Sequence, residues 1–253
     1  EGLAVGDRVY TTGSVSGTCA EYAVCSPEMV YPLPARVSFA QGACVGVPCA
    51  TAYRALVIRC AAKPGDAVLI HGASGAVGLA ATQLAVGLGC TVVGTAGTAA
   101  GEAAIAALGA TPVNHRSHDY LDAARAALPK PKAGLFDLVL EMAAHANLLA
   151  DLSMLRHGAK VAIIGAKPQP VEFNPRLLMP KELSLHGVFL PASPAAEMAA
   201  THRALFDAME RGALTPTVGT ALPLADAATA HAEVVEPSAG GKVGNIVLIV
   251  RGE

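Results

Sequence analysis

The chain has 253 residues, 53% hydrophobic and 15% charged, enough apolar content for a sizeable core and the wrong composition for a disordered chain. Eighteen Lys and Arg face 20 Asp and Glu, a formal charge of −2, so no cationic excess marks a nucleic-acid or anionic-membrane surface. The apolar runs are short and cut by Gly and Pro, which argues against a membrane-spanning helix, and no signal-peptide pattern opens the chain.

The first residue is Glu1 rather than Met, so the chain reads as processed or as lacking an upstream part. Asp7-Arg8-Val9-Tyr10 and Ala20-Glu21-Tyr22-Ala23-Val24 read as short β runs, separated by Gly13 and Gly17 and followed by Pro27, Pro32 and Pro34. Ser38-Phe39-Ala40-Gln41 has capping-box spacing, with Ser38 as N-cap and Gln41 at N3. A helix is expected to follow to about Ala62, broken at Pro48, and Lys63-Pro64-Gly65-Asp66 is a turn.

From Ala67 the pattern alternates. Apolar runs at Val68–His71, Thr91–Gly94, Phe136–Leu140 and Lys160–Ile164, with Val113 between, read as strands. Stretches at Val77–Gly87, Gly101–Leu108, Ser117–Leu128 and Asn147–Leu155 read as helices. Buried parallel strands are continuous apolar runs joined by helical crossovers, so an α/β fold with a doubly wound parallel sheet is expected. Leu183–Phe189 is a further strand and a candidate edge. A helix is expected from Ser193, as cap, with Pro194 at N1, closing at Gly212. Leu224–Val234 reads as helix and Gly244–Val250 as the last strand.

The six cysteines, at 19, 25, 44, 49, 60 and 90, form no CxxC and no zinc-finger spacing, and are read as buried, reduced thiols.

The most informative stretch is Val68-Leu69-Ile70-His71-Gly72-Ala73-Ser74-Gly75-Ala76-Val77-Gly78, a glycine turn between a strand and a helix. Read as A-x-G-x-x-G, it puts Gly75 where backbone must approach a pyrophosphate and Gly78 where helix and strand must pack closely. The helix start then offers free N–H groups and a partial positive charge. An NAD site would place Asp or Glu on the ribose at the end of the second strand. Here Thr91-Val92-Val93-Gly94-Thr95-Ala96-Gly97-Thr98 carries none. Thr95 and Thr98 can donate hydrogen bonds, Gly97 gives backbone access, and Asn114-His115-Arg116 ends the third strand with cations. A charge-assisted hydrogen bond is worth about 1.5–3 kcal/mol, so NADPH is expected over NADH.

Gly6-Asp7-Arg8-Val9, Ala20-Glu21-Tyr22-Ala23, Thr51-Ala52-Tyr53-Arg54-Ala55-Leu56, His71-Gly72-Ala73-Ser74-Gly75, Gly94-Thr95-Ala96-Gly97-Thr98 and Asn114-His115-Arg116 occur in this order. In this the chain resembles the zeta-crystallin-like quinone oxidoreductases, zinc-free members of the medium-chain dehydrogenase/reductase superfamily, over essentially its whole length. The resemblance implies a Rossmann domain wrapped by a partial GroES-like β domain. The expected boundaries are 1–45 for the GroES-like part, 46–189 for the cofactor domain and 190–253 for the return segment. It also implies an upstream stretch carrying a pocket tyrosine, so the catalytic residue is expected before Glu1.

The same resemblance implies NADPH contacts at Ser74, Gly75, Ala76, Val77 and Gly78 for the pyrophosphate. At the adenosine phosphate end they fall on Gly97, Thr98, His115 and Arg116. Asn147, then Ile164, Gly165, Ala166 and Lys167, lie at the sheet's carboxyl edge. Val188, Phe189 and Leu190 face the nicotinamide amide, and Thr51 sits beside its ring. Lys242, with Asn245, is a further candidate, although the insertion Val243-Gly244-Asn245 departs from the usual ending. Zinc-dependent relatives place a ligand where this chain has Val47 and a four-cysteine lobe that it lacks, so no metal is expected.

The activity implied is reduction of a small-molecule quinone by hydride or single-electron transfer, in the cytoplasm, by a homodimer or homotetramer. The alternatives are reduction of enones, or a non-catalytic NADPH-binding crystallin-like or RNA-binding role, with the acidic balance against RNA. His231 and Tyr53 are read as structural, His71 as bonding locally, and Glu141 as a lone carboxylate at the cleft.

Overall fold

The computed structural model describes residues 2–129, 135–235 and 243–250. Six parallel strands form the central sheet: β3 (Ala67–Ile70), β4 (Thr91–Ala96), β5 (Thr111–Asn114), β6 (Phe136–Glu141), β7 (Leu155–Ile163) and β8 (Ser184–Gly187), in the spatial order β5-β4-β3-β6-β7-β8. The order reverses at β3, where β4 lies on one side and β6 on the other, and such a switch point opens a crevice at the carboxyl edge. Register aligns Ile70 with Gly94 and with Leu140, so the chain segments that follow these strands leave the sheet side by side.

The continuous apolar runs are explained by burial on both faces: every residue of β3 and β6 is buried. Side chains alternate across the sheet. Val68, Ile70, Leu138 and Leu140 join a core with α2 (Gly46–Tyr53), α3 (Ala76–Gly87) and α7 (Ala195–Glu210). Ala67, Leu69 and Val139 join a second core with α5 (Tyr120–Ala126) and α6 (Ala144–Met154) on the opposite face. α4 (Ala99–Ala107) contributes Ile105 to the first core. The doubly wound α/β reading is therefore observed.

The remaining strands form two small pairs: β1 (Val9–Thr11) antiparallel to β2 (Val30–Pro32), and β9 (Val218–Pro223) parallel to β10 (Asn245–Ile249). α8 (Ala227–Val235) packs against β10. Tyr10 of β1 donates its hydroxyl hydrogen bond to, or accepts one from, His202 Nδ1 of α7 at 2.8 Å, and Tyr31 of β2 stacks on the same imidazole at 3.9 Å between centroids. Arg54, nearly buried after α2, pairs with Ser193 and Glu197 at the start of α7. These contacts join the N-terminal hairpin and the central layer to α7.

Several expectations need correction. Residues 20–24 form no strand: Tyr22 and Val24 are exposed, and Val24 is tied to the preceding loop by Val15 N–H to its C=O at 2.7 Å and by its own N–H to Ser16 Oγ at 2.9 Å. The Ser38 capping box is present, but it opens a single turn, α1 (Phe39–Gly42). The break falls at residues 43–45, and Pro48 sits in the first turn of α2, where its missing N–H costs nothing. α2 then runs into a π-helical turn, Arg54–Arg59. α7 has Pro194, not Ser193, as its N-cap, and the Ser193 hydroxyl accepts from Arg54 instead. β2 and β9 had no counterpart in the sequence reading. Cys44, Cys49 and Cys60 are buried as expected, whereas Cys25 and Cys90 are half-buried and Cys19 is exposed. Among the described residues no helix is long and apolar enough to cross a membrane.

Candidate functional site

The glycine turn leaves β3 at His71, whose backbone N–H still bonds to Leu140 C=O at 3.0 Å. Gly72 has φ +58°, a left-handed conformation that favours glycine, and it lets the chain double back so that Gly75 N–H reaches Gly72 C=O at 3.0 Å. Thr95 of β4 clamps the turn: its hydroxyl oxygen accepts from Gly72 N–H at 3.1 Å and its carbonyl from Ala73 N–H at 2.8 Å. Thr95 is therefore buried beneath the turn, with a structural duty beside its expected role as a donor to the cofactor.

Gly75 is the N-cap of α3 and no side chain caps that end. The first-turn N–H groups and the helix dipole are left for an anionic group. A Cβ on Gly75 would meet only Gly72 O, at 3.4 Å, so its outer side is open. A Cβ on Gly78 would lie 2.5 Å from Ala73 Cα and closer still to Gly72 O, so the third motif position packs the helix against the turn that leaves β3. The residues present therefore fit a diphosphate. Gly244 closes one side of the turn, pairing with Gly75 as an isolated bridge and donating its N–H to Ser74 C=O at 2.9 Å. The insertion at residues 243–245 thus reaches the rim of the site, while Lys242 lies outside the described residues.

Beyond the turn, Gly97, His115 and Arg116 come together. A Cβ on Gly97 would lie 2.8 Å from His115 Nε2 and 3.1 Å from Arg116 Nε. Burial, then the neighbouring Arg116 and His71, lowers the His115 pKa, so Arg116 carries the positive charge at neutral pH. Thr98 caps α4, accepting from Gly101 N–H at 3.1 Å, so its oxygen has a structural duty beside any donor role.

A pocket of about 330 Å³ lies behind this rim, lined by His71, Gly72, Thr95, His115, Tyr120, Met142, Ala143 and Asn147. Asn147 lies one turn into α6, and its Nδ2 donates to Glu141 Oε1 at 3.2 Å. Ile164 and Gly165 follow β7 and both donate N–H to Glu141 C=O, at 2.9 and 3.2 Å. Ala166 and Lys167 continue outward, exposed, with Lys167 N–H on His145 Nδ1 at 3.2 Å. Val188 is tied to Ile163 C=O at 2.9 Å and buried, Phe189 is exposed, and Leu190 packs on the core. Thr51 is buried in α2 and is not part of the 330 Å³ pocket wall. A second cavity, of about 400 Å³, lies beside Val9–Gly13, Phe39 and the start of α2, where Val47 is exposed.

His71 does not bond locally, contrary to expectation. Its Nε2 lies 2.8 Å from Asp151 Oδ1 on α6 and 3.6 Å from Glu141 Oε2 at the end of β6. All three side chains are buried, and sequence reasoning did not connect them. Burial pulls the His71 pKa down, but the Asp151 bond and the two carboxylate charges outweigh it and raise the value. Burial, then the Asp151 side chain, pushes Glu141 above the usual carboxylate range.

A family model described as zinc-binding dehydrogenase matches residues 76–207. The quinone oxidoreductase of Homo sapiens is 42% identical over 246 residues, 97% of this chain and 73% of that protein. The structure of a quinone oxidoreductase from Thermus thermophilus, determined also in complex with NADPH, superposes with a TM-score of 0.82 at 30% identity, covering 98% of this chain and 79% of that one. A quinone oxidoreductase from Pseudomonas syringae pv. Tomato DC3000 gives 0.82 at 25% identity over 98% and 76%. With the strand order, the glycine turn and these likenesses together, the chain belongs to the zeta-crystallin-like quinone oxidoreductase family of the medium-chain dehydrogenases and reductases.

Proposed function

We propose that this protein reduces quinones with NADPH, without a catalytic metal. The observation that carries the reading is the uncapped turn at Gly72–Gly78 with Gly97, His115 and Arg116 beyond it and no carboxylate at the end of β4.

The first-turn N–H groups of Ala76 and Val77, with Ser74 and Gly75, would hold the diphosphate. Gly97 gives backbone access, Arg116 pairs with the 2′-phosphate, and neutral His115 hydrogen-bonds to it. Asn147, the loop Ile164–Lys167 and the segment Val188–Leu190 would line the path to the nicotinamide, with Thr51 beside the ring. NADPH, when bound, supplies the reducing electrons. A quinone is already an electrophile and its reduced anion takes a proton from water, so the chain's work is positioning and exclusion of solvent. Val47 stands where zinc-dependent relatives carry a ligand, and its hydrocarbon side chain cannot bind a cation.

The protein is read as cytoplasmic, a compartment that keeps thiols such as its six cysteines reduced. It is read as a homo-oligomer, with β8, the last strand of the sheet, offering its edge. The test is NADPH oxidation in the presence of ortho- and para-quinones, compared with NADH. Quinone-dependent turnover that favours NADPH is expected. NADPH binding without turnover would replace the reading by a binding role, and a preference for NADH would refute the phosphate assignment.

A further inference from the structure

The buried cluster behind the pocket has two oxygen atoms to account for. Glu141 Oε2 and Asp151 Oδ2 are buried without a hydrogen-bond partner. Their residues have no exposed surface, and each of these carboxyl groups lies beside His71. Two ionised carboxylates side by side in a closed site are costly, and one imidazolium neutralises only one of them. A single proton held between the carboxyl groups removes both problems. The second carboxyl becomes neutral, and a carboxylic O–H bonded to a carboxylate oxygen satisfies both atoms.

We propose that Glu141 is a positioning residue, held as the neutral acid against Asp151, whose proton keeps the 142–147 turn and Asn147 set for the cofactor. The geometry couples the two functions in one side chain. Glu141 Oε1 accepts from Ala143 N–H and from Asn147 Nδ2 at 3.2 Å, while the Glu141 backbone carbonyl accepts from Ile164 and Gly165. Both segments line the proposed cofactor path, so the part of the inference that concerns affinity rests on that reading. Loss of the proton would set two carboxylates against each other and pull on both segments.

The charged and titratable groups facing the cluster come from every element around it. Asp151 comes from α6, His71 from the end of β3, Tyr120 from α5, and His115 from the end of β5, where Arg116 acts on His115. Tyr120 stands edge-on to the His71 ring at 6.5 Å. Burial, then Asp151 and Glu141, raises its phenol, so Tyr120 stays neutral across the range that matters.

The variant that tests this is Glu141→Gln, whose amide can donate to Asp151 while its oxygen still accepts from Ala143 and Asn147. Two profiles are measured from pH 5.5 to 8.5: the thermal midpoint of the cofactor-free protein, and NADPH affinity by fluorescence titration. The wild-type midpoint is expected to fall as pH rises through neutrality, and Glu141→Gln to flatten that fall. Wild-type NADPH dissociation constants are expected to rise more steeply than the variant's, by up to about tenfold per pH unit where binding requires the proton. Titration of the ligand's own phosphate is common to both proteins and cancels in the difference.

Parallel midpoint profiles would overturn the shared proton. A flattened midpoint with parallel affinity profiles would overturn the positioning role. Failure to bind NADPH at any pH would sink the functional reading while the midpoint profiles still decided the proton. If the variant does not fold, infrared spectra of the wild type decide instead: a protonated carboxyl band persisting at pH 6 supports the proposal and its absence overturns it. A stoichiometric divalent metal in the purified protein would also overturn it, since a cation would then fill the place of the proton.

Discussion

Alanine at two glycines of one helix should shift stability in opposite directions. Gly78 is the third residue of α3 and Gly87 its last. In a helix interior Ala is favoured over Gly by about 1 kcal/mol, an upper limit for these two end-turn positions, so propensity alone predicts a gain of at most that size at both. At Gly87 nothing lies within 4 Å of the added Cβ, and the gain should survive. At Gly78 the added carbon meets Ala73 Cα at 2.5 Å, Ala73 C at 2.8 Å and Gly72 O closer still, all backbone, so no rotamer change relieves it. Overpacking of this kind costs about 1–3 kcal/mol or more, and backbone contact puts Gly78 at the upper end. The net expectation is a loss of about 2 kcal/mol, or roughly 4–8 °C for a chain of this size, against a rise of about 1–3 °C for Gly87→Ala. Gly101, which meets Ser74 Cβ at 2.9 Å and Ala96 Cβ at 3.0 Å, should fall between them. Thermal and urea midpoints of the three variants test the order. A Gly78→Ala protein as stable as the wild type would refute the close approach on which the diphosphate turn depends.

Three more outcomes follow from contacts already described. His202 is buried and its pKa is pulled down to about 4 by burial, so on acidification the unfolded chain takes the proton first. Stability should fall between pH 6.5 and about 4, by up to about 3 kcal/mol, and His202→Gln should shallow that acid limb of the midpoint profile. Glu197→Ala leaves the nearly buried Arg54 guanidinium without its carboxylate and should cost about 2–4 kcal/mol in urea unfolding, whereas adding Arg54→Leu should recover part of that loss. Arg116→Ala should raise the KM for NADPH about tenfold and leave that for NADH nearly unchanged, since one exposed charge-assisted bond is worth about 1–2 kcal/mol; equal effects on both coenzymes would remove Arg116 from the phosphate site.

The central sheet was legible because its strands are buried on both faces, so β3 appears in the sequence as an unbroken apolar run and β4 and β6 as predominantly apolar ones, with the charged Asp137 inside β6. The same criterion misread residues 20–24, whose β-forming side chains have no sheet to join, with Tyr22 78% and Val24 64% exposed. β9 was hidden for the opposite reason. Val218-Gly219-Thr220-Ala221 has no apolar period, and Gly219 is there because any Cβ would fall inside Val243 O, a constraint visible only once β10 is alongside. The glycine turn and the group Gly97, His115 and Arg116 were readable from motif and strand order, because spacing along one βαβ unit fixes them in space. Thr95 has a duty that spacing does not show, since a threonine at a strand end can clamp the turn beneath it as well as face a ligand.

The cluster of His71, Glu141 and Asp151 needed more than spacing, yet the sequence held its components. His71 and Glu141 are the first polar residues after two apolar runs, and they become neighbours only because β3 and β6 adjoin at the switch point with Ile70 opposite Leu140. Asp151 lies on the α6 stripe with Ala144, Leu148 and Leu152, all buried, so an acid occupies a position that the helical period reserves for the core. An acid in such a stripe requires a partner. The nearest polar groups available to it are those that the sheet order delivers to the same carboxyl edge. The topology that creates the cofactor crevice thus also assembles the charged support behind it, which is why one buried proton can reach both the fold and the pocket.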